Sequence, residues 1–215
     1  MNDSRMFPFP AMLDRMQYII RWSLMRNSQP ESLKQHSFDV AIIADVLCAI
    51  YNEITKKDDQ PRISHEKVVR LALYHDAAEI ICSDLPTPIK YQNPEIATAF
   101  KQIEKQAVMT ILGLMPKELQ PAYINVMVGC GSREDEVVHA ADKLSAYCKC
   151  LNEEASGNHE FVSAKEGLWN SISIMAKEME EVQYFVERFL PFYGKTLDQM
   201  VQNRESGSNE EAQRI

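Results

Sequence analysis

The sequence is poor in glycine and has few cysteines. Only 7 of its 215 residues are glycine, whereas methionine, at 11 residues, and the other good helix formers are well supplied. This balance disfavours a turn-rich all-β design and favours helices. The five cysteines form an odd set without the spacing of a disulfide framework, which suits a reducing compartment. We therefore predict an all-α protein of the cytoplasm.

Long apolar runs are also missing. The best candidate, from Val40 to Tyr51, is interrupted by Asp45, whereas a membrane-spanning helix needs about 20 apolar residues. The segment from Met1 to Pro10 lacks a basic patch followed by an apolar stretch, which argues against a signal peptide. The sequence predicts no membrane partner.

Basic side chains are in the minority, with 23 Lys and Arg against 31 Asp and Glu and a net charge of −8. Nucleic-acid polymers bind through many phosphates and need a basic surface, so we expect no such partner. A small anionic substrate remains compatible with this charge, because one arginine can hold one phosphate.

Helical periodicity runs along most of the chain, and no repeat or linker divides it. We predict a single domain over residues 1–201 and a polar C-terminal tail over residues 202–215. Capping signals at Ser32, Ser64, Asn93 and Ser132 mark helix starts. The predicted helices are Met12 to Met25, one that begins at Ser32 and ends before the charged loop Lys56 to Arg62, Ser64 to about Ile81, Asn93 to Leu112, Pro116 to Met127, Ser132 to Glu154, Asn158 to Tyr184 or beyond, and Lys195 to Val201.

Two of the five histidines fall on apolar helix faces. His36 shares its face with Val40 and Leu47, and His75, followed by Asp76, continues an apolar stripe of the next helix. One inward histidine is usually a hydrogen-bonded core residue, but two beside an aspartate favour a metal site. Burying these groups without partners would cost several kcal/mol, and a divalent cation would satisfy all of them.

Asp142 adds a second inward carboxylate, next to the small residues Ala140 and Ala141. The order of His36, then His75 with Asp76, then Asp142 resembles the H…HD…D signature of the HD superfamily of metal-dependent phosphohydrolases. The resemblance implies an HD-domain helical bundle whose metal ligands are His36, His75, Asp76 and Asp142. Two imidazoles and two carboxylates leave coordination positions open, as a catalytic metal requires.

The surrounding motifs resemble the bacterial 5′-deoxynucleotidases of that superfamily over about residues 12 to 200. They are Arg21-Trp22, Gln35-His36-Ser37, Tyr74 to Glu79, Asp84 to Pro88, Ala141-Asp142 and Tyr147 to Leu151. The resemblance implies hydrolysis of deoxyribonucleoside 5′-monophosphates, a homodimer, and cobalt or manganese as the metal. The ligand set alone would also accept iron, nickel or zinc.

Glu79 and Asp84 are the predicted proton-transfer residues. Glu79 lies one turn after His75, so we assign it to orienting or deprotonating the attacking water. The alternative is a surface glutamate paired with a lysine. By resemblance, Asp84 lies near the sugar hydroxyl and can protonate the departing 5′-oxygen.

Arg21 is predicted to clamp the substrate phosphate bidentately and to assist catalysis, with Trp22 packing on sugar or base. Preference for deoxyribose would follow if Trp22 and the proline loop leave no place for a 2′-hydroxyl. The remaining predicted substrate contacts are His36, Asp84, Leu85, Pro86, Thr87 and Asp142.

Two alternative functions stay open. Another HD phosphohydrolase could act on nucleoside triphosphates or cyclic nucleotides, although holding three phosphates calls for more basic side chains than this chain offers. A non-catalytic nucleotide-binding regulator is the other alternative, and it would not need the carboxylate of Glu79.

Several other residues receive structural interpretations. His65, His139 and His159 fall outside the signature, and Cys148 and Cys150 are predicted to pack within a helix. An apolar stripe is interpreted as core, with part of it available as an oligomer face. Its members are Met175, Met179, Val182, Phe185 and Phe189.

Overall fold

A computed structural model describes residues 6–84 and 93–201, and within these ranges the chain forms helices and no β-sheet. The α-helices are α1 (Phe9–Leu13), α2 (Leu33–Ile50), α3 (His65–Tyr74), α4 (Glu79–Cys82), α5 (Pro94–Leu112), α6 (Pro121–Val128), α7 (Arg133–Ala155), α8 (Val162–Glu178) and α9 (Glu180–Arg188). Short 3-10 helices cover Asp14–Tyr18, His159–Phe161 and Leu190–Phe192, and Tyr51–Thr55 is π-helical. The predicted all-α fold class is confirmed.

The helix α2 lies at the centre of the fold and begins where the sequence predicts. The amide of Gln35 donates to Ser32 Oγ at 3.2 Å, and the amide of Ser32 donates to Gln35 Oε1 at 2.9 Å, which completes a capping box. The face carrying His36, Val40 and Leu47 is fully buried. Burial of a side chain such as Leu47 contributes about 1.5–3 kcal/mol.

The helices α3 and α7 pack on α2, and α8 and α9 complete the main hydrophobic cluster. A second capping box, Ser132 with Asp135, starts α7. A smaller cluster joins α1 to α5 and α6 through Phe9, Ile111 and Met127. The long helix α7 therefore runs beside α2, and its inward face is available to the site described below.

The predicted helix over Met12 to Met25 is wrong beyond Tyr18. Ile20 forms an isolated antiparallel bridge with Ser32, and Trp22 adopts φ 55°. That left-handed conformation is costly for a residue with a side chain and is incompatible with a continuing α-helix. Arg21 thus lies in a turn that directly follows the bridge, rather than near a helix end.

Three other predicted helices are modified. The helix over Ser64 to Ile81 divides into α3 and α4. The helix from Pro116 begins only at Pro121, where the missing amide of proline suits a first turn. The segment after Asn158 breaks at Met179, which is extended at φ −122° and ψ 100°. The helix predicted from Lys195 is present over residues 197–201.

The apolar stripe of the late helices is mainly core. Met179, Val182 and Phe185 are buried, whereas Phe189 is 41% exposed. Cys148 and Cys150 are buried free thiols within α7, in line with the packing interpretation. No helix in the described ranges is long and apolar enough to cross a membrane. The single domain over residues 1–201 stays a prediction, and the tail over 202–215 lies outside the described residues.

Candidate metal and phosphate site

Three predicted metal ligands converge where α2 meets the end of α3. His36 comes from the first turn of α2, and His75 and Asp76 directly follow α3. One ligand atom from each lies within 4.8 Å of the others. His75 Nε2 lies 3.0 Å from Asp76 Oδ2, and His36 Nε2 lies 3.8 Å from the same oxygen. Imidazole nitrogens with a carboxylate oxygen suit a divalent first-row metal ion.

The orientation of His75 fixes which nitrogen faces the cluster. Its Nδ1 lies 2.7 Å from the carbonyl oxygen of Ala72 and can only donate there, so Nε2 carries the lone pair of the neutral ring. Nε2 is buried, and its 3.0 Å contact with Asp76 Oδ2 lacks the geometry of a hydrogen bond within the described part of the chain. In a metal-ligating histidine, one ring nitrogen typically donates to a backbone carbonyl and the other nitrogen presents its lone pair to the metal. The ring of His75 has this arrangement.

The charges of the cluster favour a cation at that point. Burial lowers the pKa of His75, but the carboxylates of Asp76 and Asp142 outweigh it and raise that pKa to about 9. The field that favours a proton on Nε2 also favours a metal ion in its place. Burial lowers the pKa of His36, so its ring is neutral, as a ligand must be.

Asp142, the fourth predicted ligand, comes from the middle of α7. Its Oδ1 lies 3.1 Å from His36 Nε2, and its Oδ2 accepts from Lys143 Nζ at 3.1 Å. Burial alone would raise the pKa of Asp142, but the bond to His36 and the charge of Lys143 hold it well below its usual range. The structure thus places this carboxylate against His36 but outside the group of three predicted ligands whose atoms lie within 4.8 Å of one another.

Sequence reasoning missed the partner of His36 on its other ring nitrogen. The buried hydroxyl of Ser145 lies 3.3 Å from His36 Nδ1. Ser145 follows Asp142 by three residues and therefore lies on the same face of α7. That spacing is the signal that could have identified it. One helix face thus contacts both ring nitrogens of His36.

Arg21 reaches the cluster from the turn that precedes α2. Its Nη1 donates to Asp76 Oδ2 at 3.3 Å, and its Nε lies 3.6 Å from Glu31 Oε2. Burial opposes its charge, but the surrounding carboxylates, Asp76 foremost, raise its pKa. The amide of Arg21 donates to the carbonyl oxygen of Glu31 at 2.9 Å, which fixes the backbone. A permanent positive charge therefore lies next to the predicted ligands.

Glu79 begins α4, one short turn after the HD dipeptide. Its Oε2 is buried without a hydrogen-bond partner among the residues that the structure describes. Burial, together with the charges of Asp76 and Asp84, raises the pKa of Glu79 to about 8. Near neutral pH the carboxyl group of Glu79 is therefore divided between a larger protonated fraction and a smaller ionised fraction, and the ionised fraction can accept a proton. Asp84 is near enough to act on Glu79 and Arg21, whereas Leu85, Pro86 and Thr87 lie outside the described residues.

The remaining predicted residues lie further out. The ring of Trp22 packs edge-on against Phe161, with centroids 5.4 Å apart. His139 is exposed, yet it lines a cavity of about 200 Å³ that His75 and Asp142 also border. His65 pairs on the surface with Asp45, and His159 lies in a 3-10 helix.

Comparison with known proteins finds close relatives by sequence. The profile of the family described as 5′-deoxynucleotidase YfbR-like matches residues 8–193. A 5′-deoxynucleotidase of Vibrio parahaemolyticus is 38% identical over 202 residues, which cover 93% of this chain and 100% of that protein. One of Yersinia pseudotuberculosis is 41% identical over 194 residues, 89% of this chain and 95% of the relative.

Solved structures share the fold. An HD-domain phosphohydrolase of Listeria innocua has a TM-score of 0.74 at 22% identity and covers 93% of this chain and 97% of its own. The cyanophage S-2L HD phosphohydrolase DatZ, bound to dA and one catalytic Zn²⁺ ion, has a TM-score of 0.61 at 19% identity over 84% of this chain and 95% of its own. At these identities the likeness concerns the fold alone.

Proposed function

The chain belongs to the 5′-deoxynucleotidase YfbR-like family, and on that premise we propose that it is a metal-dependent enzyme that hydrolyses deoxyribonucleoside 5′-monophosphates to deoxyribonucleosides and phosphate. One observation carries the proposal: Arg21 Nη1 lies 3.3 Å from Asp76 Oδ2, a predicted metal ligand. A phosphate held by this guanidinium lies beside the place that the ligands offer to a cation. A phosphomonoesterase needs that juxtaposition.

The metal would be held by His36, His75 and Asp76, with Asp142 as the fourth ligand. A bound divalent cation supplies Lewis-acid polarisation of the phosphoryl oxygen and lowers the pKa of a coordinated water. We propose cobalt or manganese as the ion that supports activity. Zinc belongs in the same test, because the DatZ structure carries a catalytic Zn²⁺.

Arg21 is the principal phosphate-binding residue. Its planar guanidinium keeps its charge at every working pH and can donate two parallel hydrogen bonds to phosphate oxygens. In the absence of substrate it is held between Asp76 and Glu31. These carboxylates orient the guanidinium and offset the cost of burying its charge. Phosphate binding therefore needs little reordering of the arginine.

Glu79 and Asp84 move the protons. As the water oxygen attacks phosphorus, Glu79 takes a water proton, a role that fits its burial and its pKa of about 8. The bond between phosphorus and the 5′-oxygen breaks, and the departing 5′-oxygen takes a proton from Asp84, which enters this step in its protonated form. The proton that Glu79 has gained leaves to solvent and Asp84 takes one up before the next turnover. The products are a deoxyribonucleoside and inorganic phosphate, which balances one water molecule consumed.

Selectivity for deoxyribose is assigned to Trp22 and the loop that begins at Asp84. Trp22 is only partly buried, although its ring packs on Phe161. An indole at the sugar removes the water that a 2′-hydroxyl would need as a partner. Discrimination therefore follows from an unsatisfied hydroxyl rather than from a contact to deoxyribose.

We propose that the enzyme is a cytoplasmic homodimer that binds no nucleic-acid polymer. The buried free thiols of Cys48 and Cys148 suit a reducing compartment. Phe38, 60% exposed, and Ile42, 52% exposed, lie one turn apart on α2 and leave an apolar strip that a second subunit could cover. Sedimentation at micromolar concentration tests this assembly, and a monomer there would contradict it.

The activity is tested by phosphate release from dAMP, dTMP, AMP and dATP with cobalt, manganese or zinc supplied to metal-stripped protein. We expect release of inorganic phosphate from the two deoxynucleoside monophosphates and much less from AMP. Release of triphosphate or pyrophosphate from dATP, with none from monophosphates, would identify a triphosphohydrolase instead. Nucleotide binding without turnover under every metal would identify a regulator.

A further inference from the structure

The loop that carries Arg21 and Trp22 is tied to the far end of α7. We define the Arg21 loop as residues 21–31. At its base the amide of Arg21 donates to the carbonyl oxygen of Glu31, and the amide of Leu33 donates to that of Ile19 at 2.8 Å. These bonds close the loop but do not orient its body. The orientation comes from a second set of contacts at its tip.

Glu153 is the centre of that second set. Its side chain is 1% exposed, although it is charged and lies near the end of a helix. Its Oε2 accepts from the amide of Ser28 at 2.8 Å, and its Oε1 accepts from the amide of Gln29 at 3.3 Å. Both oxygens of one buried carboxylate therefore bind consecutive loop amides.

Two further side chains complete this anchor. Asn158 Nδ2 donates to the carbonyl oxygen of Arg26 and to Glu153 Oε2, both at 2.7 Å. Lys149 donates to Glu153 and also to the carbonyl oxygen of Gln29 at 2.5 Å. We call Lys149, Glu153 and Asn158 the loop anchor. It binds the Arg21 loop at three positions near the tip, Arg26, Ser28 and Gln29.

The anchor and the metal site share one helix face. Asp142, Ser145, Lys149 and Glu153 follow one another at intervals of three and four residues on α7. The eleven steps along the chain from Asp142 to Glu153 span about 16 Å at the rise of an α-helix. A single rigid element thus holds a predicted metal ligand at one point and the phosphate-binding loop at another.

We propose that Glu153, through the loop anchor, positions Arg21 and Trp22 relative to the metal ligands and thereby sets the affinity for substrate phosphate. Glu153 itself touches neither substrate nor metal, so it is a positioning residue. The kinetic part of this proposal rests on the proposed deoxynucleotidase function. The structural part, the placement of Trp22, does not.

The structural part can be read from one fluorophore. The chain has two tryptophans, Trp22 and Trp169. Trp169 is 40% exposed and packs against Tyr147, with ring centroids 5.5 Å apart. In a Trp169→Phe parent the emission and its quenching by acrylamide therefore report Trp22 alone.

The test compares Glu153→Gln and Asn158→Ala with Glu154→Gln in that parent. Glu154 is the neighbouring glutamate on α7, paired with Lys165 at 2.6 Å on the surface, and serves as the matched control. Asn158→Ala keeps the carboxylate and its bonds to Ser28 and Gln29, so it retains the fold if Glu153→Gln does not. Thermal unfolding of each variant sets the assay temperature below its transition.

We expect both anchor variants to shift Trp22 emission to the red, to increase its quenching, and to raise KM for dAMP roughly 10- to 100-fold. The change in kcat should be smaller, and the Mn²⁺ affinity of both anchor variants should equal that of the parent. Glu154→Gln should match the parent in Trp22 emission, quenching and KM. Folded anchor variants with the parent's Trp22 emission and KM would overturn the proposal, as would a loss confined to kcat. If the parent lacks activity with every metal, the proposed function fails. The positioning role of Glu153 is then decided by comparing Trp22 emission and the affinity for inorganic phosphate between the anchor variants and the parent.

Discussion

His75 Nδ1 donates a hydrogen bond to the carbonyl oxygen of Ala72 at 2.7 Å, and this bond exists because α3 ends at Tyr74. The carbonyls of the last turn of a helix have no intrahelical partner and are available to side chains. The helix end therefore fixes the tautomer of His75 and turns Nε2 towards Asp76. The interruption of the predicted helix and the geometry of the metal site have the same cause.

The first prediction concerns this histidine. His75→Gln removes the nitrogen ligand while keeping a polar side chain. We expect divalent metal affinity to fall by more than the roughly 10- to 100-fold that loss of an outer partner costs. Calorimetric titration with Mn²⁺ measures it. His139→Gln, at an exposed position on the neighbouring cavity, is the control and should bind as the wild type does. Equal affinity in the two variants would remove His75 from the ligand set.

The second prediction separates proton transfer from metal binding. Glu79→Gln has nearly the same shape but cannot accept a proton. We expect kcat for dAMP to fall by about 10²- to 10⁴-fold, the usual range for a general base, while Mn²⁺ affinity and KM change little. Single-turnover measurement of phosphate release gives the rate of the chemical step. Full turnover by Glu79→Gln would show that Glu79 does not accept the proton and has only a structural role.

The third prediction concerns the phosphate clamp. Arg21→Lys keeps the charge but loses the planar pair of donors. Because hydrogen bonds to charged groups contribute about 1.5–3 kcal/mol, we expect kcat/KM to fall roughly 10- to 100-fold. Most of the change should appear in KM. Lys34→Arg, on the surface beside Asp14, should leave both constants unchanged. An unaltered KM in Arg21→Lys would argue that another cation binds the phosphate.

The fold class and the inward position of His36 could be predicted from the sequence because both depend on local patterns, whereas the set of four metal ligands was implied by the resemblance to the HD superfamily. The capping box at Ser32 sets where α2 begins, and four residues later the helical period places His36 on the buried face. The alignment of His36 with His75 and Asp76 follows because α2 packs against α3. Capping therefore predicts where α2 begins, and periodicity predicts that His36 lies on its buried face.

The path of the chain around Arg21 could not be predicted in the same way. The apolar spacing of Met16, Ile20 and Leu24 is typical of a helix, but Ile20 instead bridges Ser32 and Trp22 has φ 55°. Contacts to Glu153, distant in sequence, compensate for this conformation. The spacing of apolar residues within one segment does not indicate hydrogen bonds to residues that are distant in sequence. The loop anchor could therefore not be predicted from it.

The fourth prediction concerns the pH dependence of stability contributed by Glu153. Burial alone would raise the pKa of Glu153, but the bonds from Lys149, Ser28 and Asn158 reverse this and hold it well below its model-peptide value of 4.5. A group whose pKa is lowered by folding stabilises the native state above its unfolded pKa, and the contribution is lost as pH falls towards the folded value. The native structure therefore gains from this carboxylate at neutral pH and progressively less below about pH 4.5.

Glu153→Gln should accordingly be less stable than the wild type by about 1.5–3 kcal/mol at pH 7, the range for hydrogen bonds to a charged group. The difference should narrow as the pH is lowered through 4.5 and below, because Glu153 then takes up a proton in the unfolded chain while it stays ionised in the native protein. Urea unfolding of both proteins between pH 7 and pH 3 measures the two free energies, with Glu154→Gln as the surface control. A difference that stays constant with pH would mean that the charge of Glu153 is not what stabilises the anchor. In that case the shape of the side chain, rather than its ionisation, holds the Arg21 loop against α7.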